Sequence, residues 1–235
     1  MDTIETRPLA LLIPGLDGTG RLFYRQVTQL SKRYRVRAWE FRRGADFDFD
    51  DLVEEMGCAT ASETPGSILL AAESFGGSVA LQYALKYPER LRQLVLVNAF
   101  PRYRHRARIG LACRIAPLLS VRGARGVKDF IVDRTLALEG IEAADRRKYV
   151  EVVRMVDLAA YCRRLELVRE VDLRNRLGEI SVPTLLFASG RDKLVPSVSE
   201  ARFMASMIRG ARLHEFPRAG HALLLTPGFL LADYV

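Results

Sequence analysis

An α/β fold, with a mostly parallel sheet flanked by helices, is predicted by three observations. Six short apolar runs alternate with stretches of helical periodicity along the chain. Several of the runs are nearly continuous, as in Leu94-Val95-Leu96-Val97, and strands covered on both faces need that composition. Glycine-rich or polar loops follow directly on the ends of three runs, at the carboxyl edge where such sheets hold their ligands. With 235 residues and 49% hydrophobic content the chain can bury a sizeable core.

The elements follow in order. Strands are expected near 8–13, 34–40, 67–72, 93–98, 182–188 and 211–216, and helices near 21–32, 50–61, 75–87 and 197–208. After the first strand comes Pro14-Gly15-Leu16-Asp17-Gly18-Thr19-Gly20, where the Asp17 carboxylate is expected to tie the loop down. After the third comes Ala72-Glu73-Ser74-Phe75-Gly76-Gly77, a tight turn into a helix. Residues 101–178 carry no strand pattern and are too many for an ordinary connection, so they are read as an inserted helical cap between core segments 1–100 and 179–235. Within the insert, Ile109, Ala112, Ala116 and Leu119 recur at roughly helical spacing with Arg114 off that stripe, an amphipathic lid pattern that Pro117 would bend.

Ser74 sits where an exposed hydroxyl meets the partnerless N–H groups of a helix start. A lone serine before a helix is more often a helix cap than a nucleophile, so the reading depends on a base and an orienting carboxylate elsewhere. Asp192 lies in Gly190-Arg191-Asp192-Lys193, beyond the strand Pro183–Phe187, and His221 lies in the small-residue loop Ala219-Gly220-His221-Ala222. Taken singly, Asp192 reads as a loop carboxylate beside Arg191 or Lys193, and His221 as a satisfied loop imidazole. Taken together, nucleophile, acid and base occur in the order Ser74, Asp192, His221. His214, inside a strand pattern, and His105, in an arginine-rich stretch, read as structural or surface residues.

The first glycine loop, with Glu40 about 20 residues onward, also suggests a dinucleotide site. Its glycines run G-x-x-G-x-G, however, and the nucleotide fingerprint is G-x-G-x-x-G. No Tyr-x-x-x-Lys pair occurs in the chain to support a short-chain dehydrogenase.

With these three loops in view, the chain resembles the α/β-hydrolase superfamily over nearly its whole length. Pro14–Gly20 with Glu73–Gly77 is similar to the branch holding esterase, lipase and thioesterase-type proteins and plant phytyl-ester acyltransferases. The resemblance implies Ser74 as nucleophile, Asp192 as acid, His221 as base, and the backbone N–H groups of Leu16 and Phe75 as the oxyanion hole. It implies cleavage of an ester or thioester with an apolar acyl group through an acyl-enzyme, with no cofactor or metal. Acyl transfer to an alcohol by the same triad, and a non-catalytic binder on the same scaffold, stay open. Dehalogenases and epoxide hydrolases of the superfamily use an aspartate at the elbow, where this chain has Ser74. Ala72 departs from the family's G-x-S-x-G at its first glycine. Against the family's full sheet, the pattern starts at the third strand and ends where a final helix has barely begun, implying a trimmed member or further C-terminal residues.

Charge is unevenly placed. Residues 101–178 hold 18 Lys and Arg against 10 Asp and Glu, and the remainder holds 18 of each, so the net +8 resides in the insert. Arg104, Arg106 and Arg108 lead into it, either as a solvated face or as a surface for an acidic partner. Acyl carrier protein, coenzyme A phosphates and an anionic membrane surface are the candidates. No nucleic-acid module accompanies the charge, so nucleic acid is not expected. No run reaches the roughly 20 apolar residues of a membrane span and no signal stretch precedes the first strand, so a cytoplasmic protein is expected. Cys58, Cys113 and Cys162 are widely spaced, so buried free thiols are expected rather than a disulfide or zinc framework.

Overall fold

A computed structural model describes residues 7–104, 109 and 140–235. Its six strands, β1 (Leu9–Ile13), β2 (Arg35–Ala38), β3 (Ile68–Glu73), β4 (Leu91–Val97), β5 (Thr184–Ser189) and β6 (Arg212–Phe216), form one sheet in the order β2-β1-β3-β4-β5-β6. Every neighbouring pair is parallel. The chain winds outward from β1 to β2 and then returns to build in the other direction from β3. The loops after β1 and β3 therefore diverge from adjacent strand ends, and that crevice is where an open α/β sheet places its ligand.

Each strand expected from the sequence is present, with local differences at the ends. The second strand is shorter than 34–40 because the chain leaves the sheet to cover the first loop. There the N–H of Trp39 donates to the Leu12 carbonyl at 2.8 Å and that of Phe41 to Gly18 at 2.8 Å. The fourth begins earlier than 93, since a short turn at Pro88–Arg90 feeds Leu91 straight into pairing with Ile68.

The helices are α1 (Tyr24–Leu30), α2 (Phe49–Ala59), α3 (Phe75–Lys86), α4 (Ala143–Met155), α5 (Leu158–Glu170) and α6 (Ser197–Met207) among the described residues. A 3-10 turn, Arg21–Phe23, occupies the start of the expected first helix. Asp48 and Asp51 close the start of α2 reciprocally, each carboxylate accepting the other's backbone N–H, at 3.0 and 2.8 Å. Helices α4 and α5 lie between β4 and β5, in the stretch read as an insert. The lid pattern at Ala112, Ala116 and Leu119, together with Arg106, Arg108 and His105, falls outside the described residues. Among the described residues no helix is long and apolar enough to cross a membrane.

Strict alternation along the buried strands splits the core in two. Leu9, Leu11, Ile13, Leu70, Ala72, Leu94 and Leu96 face one side, with α2, α3 and residues of α5. Ala10, Leu12, Leu69, Ala71, Val95, Val97 and Phe187 face the other, under Leu30 and the C-terminal Leu223, Phe229 and Leu231. Full burial of a Leu, Ile, Val or Phe side chain is worth about 1.5–3 kcal/mol, so both faces contribute to stability. Helix α4 is tied to the core through Asp145, which accepts from the Tyr24 hydroxyl and pairs with Arg25 at 2.7 Å.

Just past β4, Asn98 takes a left-handed conformation at φ 48° that asparagine tolerates better than most residues. Its carboxamide is fully used: Nδ2 donates to Ser189 Oγ at 3.0 Å and to the His221 carbonyl at 2.6 Å, and Oδ1 accepts the Ser189 N–H at 2.9 Å. Asn98→Leu removes three buried hydrogen bonds of roughly 1 kcal/mol each, so a loss of about 3 kcal/mol is expected. Urea unfolding measures it, and a loss below about 1 kcal/mol contradicts this account.

Candidate active site

Ser74 occupies the residue between β3 and α3 at φ 52°, ψ −121°, a strained conformation for a non-glycine residue. Its N–H is held by the Val97 carbonyl at 2.9 Å. Gly76 and Gly77 allow the sharp turn because they lack side chains. A Cβ on Gly76 would lie 2.3 Å from the Pro14 carbonyl oxygen, and one on Gly77 would lie 2.3 Å from Ala99 Cβ. Helix α3 is thereby pressed against the loop after β1, and a Cβ on Gly15 would stand 3.5 Å from that of Ser74. Phe75 is the first residue of α3, so its N–H has no intrahelical carbonyl to meet. Its ring is buried against Phe41 and Phe49.

Asp192 and His221, 29 residues apart in sequence, meet directly: Nδ1 of the imidazole lies 2.7 Å from Oδ2 of the carboxylate. The carboxylate is itself fixed. Its Oδ1 accepts the N–H groups of Leu194 and Val195 at 2.9 Å each, and its Oδ2 also accepts the Ser197 hydroxyl. Burial would raise the Asp192 pKa, but the facing His221 and these donors outweigh it and hold the pKa below the usual carboxylate value. Burial likewise opposes protonation of His221, and the Asp192 and Glu73 carboxyls overcome it, leaving the imidazole pKa raised.

The Ser74 and His221 side chains are not hydrogen-bonded to each other in this structure. Backbone hydrogen bonds nevertheless bring both residues to one strand end, since Ser74 is held by Val97 and the His221 carbonyl by the adjacent Asn98.

The loop after β1 is closed from within. Asp17 Oδ2 accepts the N–H of Thr19 at 2.9 Å and its hydroxyl at 2.7 Å, and the Gly18 N–H donates to the Gly15 carbonyl at 3.1 Å. From α5, the buried Arg164 reaches the same loop, with Nε 3.0 Å from the Leu16 carbonyl oxygen. Arg104 is engaged with the carboxylate of Glu200 on α6, Nε to Oε1 3.0 Å. His214 stacks on Phe187 in β5, a structural placement.

Sequence reasoning missed four residues here. Asn98, Ser197 and Arg164 support the loops by contacts that no local motif announces. The fourth, Glu73, stands inside the elbow motif but is a buried acid whose pKa is pushed up to about 8. Burial is the main cause, opposed by His221 and helped by the Asp17 and Asp192 charges.

Residues 10–233 match the model of the alpha/beta hydrolase family. The chain belongs to that family. Among curated relatives, this hydrolase is 27% identical over 239 residues to pimeloyl-[acyl-carrier protein] methyl ester esterase of Chromobacterium violaceum, covering 96% of this chain and 92% of that protein. It is 30% identical over 211 residues to the protein of the same name from Nitrosomonas europaea, covering 85% and 83%. Among solved structures, MenH from S. aureus superposes with a TM-score of 0.81 at 18% identity, over 97% of this chain and 90% of that one, a likeness of fold. The hydrolase and esterase character of the chain rests on these family relations.

Glu73 makes stability depend on pH. Its ordinary pKa of 4.5 applies to the unfolded chain and the raised value to the folded one, so above the lower value the unfolded state binds fewer protons. Stability therefore falls as pH rises between the two values. The raised His221 acts in the same sense above its ordinary 6.5. Glu73→Gln is expected to flatten the decline in unfolding free energy between about pH 5 and 8. Parallel curves for the variant and the parent contradict a buried ionisable Glu73.

Proposed function

We propose that this hydrolase cleaves a carboxylic ester or thioester with an apolar acyl group through an acyl-enzyme on Ser74. The observation that carries the reading is the 2.7 Å Asp192–His221 contact at the same sheet edge as the strained Ser74. In this reading His221 Nε2, the nitrogen not committed to Asp192, takes the Ser74 proton as Oγ attacks the carbonyl, and returns it to the leaving group. Asp192 keeps the proton on Nδ1 and stabilises the imidazolium. The N–H groups of Leu16 and Phe75 receive the oxyanion, an interaction whose loss typically costs about 100- to 1000-fold in turnover. Water activated by the same histidine then releases the acid.

Carrier-protein-linked esters are the proposed substrate class. The two relatives named for such an ester support it, as does the confinement of the net positive charge to residues 101–178, the proposed cap. Positive charge there would steer an acidic carrier toward the site.

Ser74→Ala and His221→Ala should each leave less than about 1% of turnover on short nitrophenyl esters, and Asp192→Asn should keep the fold while losing about 1000-fold or more. Fluorophosphonate labelling of Ser74, read by mass spectrometry, accompanies the kinetics. Substantial activity in Ser74→Ala, or no adduct on folded protein, overturns the reading. Arg106→Glu with Arg108→Glu is expected to raise KM for a carrier-linked ester about tenfold while leaving a neutral ester unaffected. Equal effects on both substrates count against carrier recruitment. Arg104 is left out of that variant because its Nε is engaged with Glu200.

A further inference from the structure

Arg164 is the largest fully buried side chain among the described residues, with 2% of its surface exposed. Apolar neighbours on α5, Leu165, Leu167 and Val168, anchor that helix in the core. Its N-terminus is capped by Asp157, which accepts the Ala160 N–H at 2.8 Å. Among the described residues no carboxylate forms an ion pair with the Arg164 guanidinium. It donates to two consecutive main-chain carbonyls of one loop instead: Nε to Leu16 at 3.0 Å and Nη2 to Asp17 at 3.4 Å.

The loop is shaped around this group. A Cβ on Gly18 would come 2.8 Å from the guanidinium carbon and 2.9 Å from both terminal nitrogens. Gly18 stands at φ 72°, which also favours glycine. Burying a guanidinium is costly, and an apolar residue would fasten two packed elements as well or better. What a planar fork adds is direction, because it fixes the orientation of the carbonyls it binds.

We propose that Arg164 is a positioning residue that sets the conformation of Leu16 and so aims the Leu16 N–H at the oxyanion. Holding the Leu16 and Asp17 carbonyls fixes the peptides on the C-terminal side of Leu16, while the Gly15–Gly18 hydrogen bond and the Asp17–Thr19 contacts brace the rest of the loop. The inference rests on the reading of Leu16 as an oxyanion donor. It adds that the donor is held in place from the inserted helix α5, by a side chain that need not touch substrate.

The test compares Arg164→Met and Arg164→Lys with the parent, using a neutral nitrophenyl ester and a boronic acid as a mimic of the tetrahedral intermediate. The expected result is a fall in kcat of about 10- to 100-fold in Arg164→Met, the scale of a catalytic group displaced by about 1 Å, with KM changed less than about threefold. Boronate affinity should fall by the same factor as kcat/KM, and Arg164→Lys should lie between. Unchanged kcat and boronate affinity, with only stability lowered, overturns the proposal and leaves Arg164 as an anchor between helix and loop. If Arg164→Met does not fold, Arg164→Lys decides alone: parent-like kcat and boronate affinity in folded protein overturn the proposal. Ser74 labelling and the Ser74→Ala control separate the two levels. Failure there removes the proposed function itself, whereas intact labelling with an unaffected Arg164 variant removes only this inference.

Discussion

The contact on which the site depends is the approach of the first turn of α3 to the strand end beside it. Gly76 lies so near the Pro14 carbonyl that no side chain fits between them. That closeness lets the chain pass from β3 into α3 through the single strained residue Ser74, and it sets the helix start beside the loop after β1. The helix start and that loop thereby meet at one crevice. With a larger residue at 76, the helix would have to back away and the crevice would open.

The second group of constraints is polar and works at longer range. Asp192 is held by two backbone N–H groups and a serine hydroxyl before it meets His221, so its position is set independently of the imidazole. Asn98 performs the corresponding task for the histidine loop, tying the His221 carbonyl to the ends of β4 and β5. In a site from which water is largely excluded each of these bonds counts for more than it would at the surface, and each unpaired group would cost more. Glu73, buried beside them with its pKa raised, meets that cost by holding its proton near neutral pH.

The strands were legible because burial on both faces leaves nearly uninterrupted apolar runs, and Leu94–Val97 could hardly be anything else. The start of α2 was close to legible, expected near 50 and found at Phe49, whereas the reciprocal closure by Asp48 and Asp51 was not read from the sequence. The end of β2 was not, because its last residues are drawn off the sheet by bonds to Leu12 and Gly18, positions more than 20 residues earlier in the chain. Arg164 was equally hidden. In sequence it is one arginine of a stretch rich in them, beside Arg163, whose Nε is spent on the Phe47 carbonyl while Arg164 turns inward.

What the sequence by itself determined is the parallel sheet, the order of its loops, and the residue types at their tips, because those follow from local periodicity and from side-chain chemistry. Tertiary structure alone decided the seating of Asn98 between two strand ends and the burial of a guanidinium against Leu16. Those depend on which distant segments are packed together, and no short-range pattern encodes a contact whose partners are brought together only by the winding of the sheet.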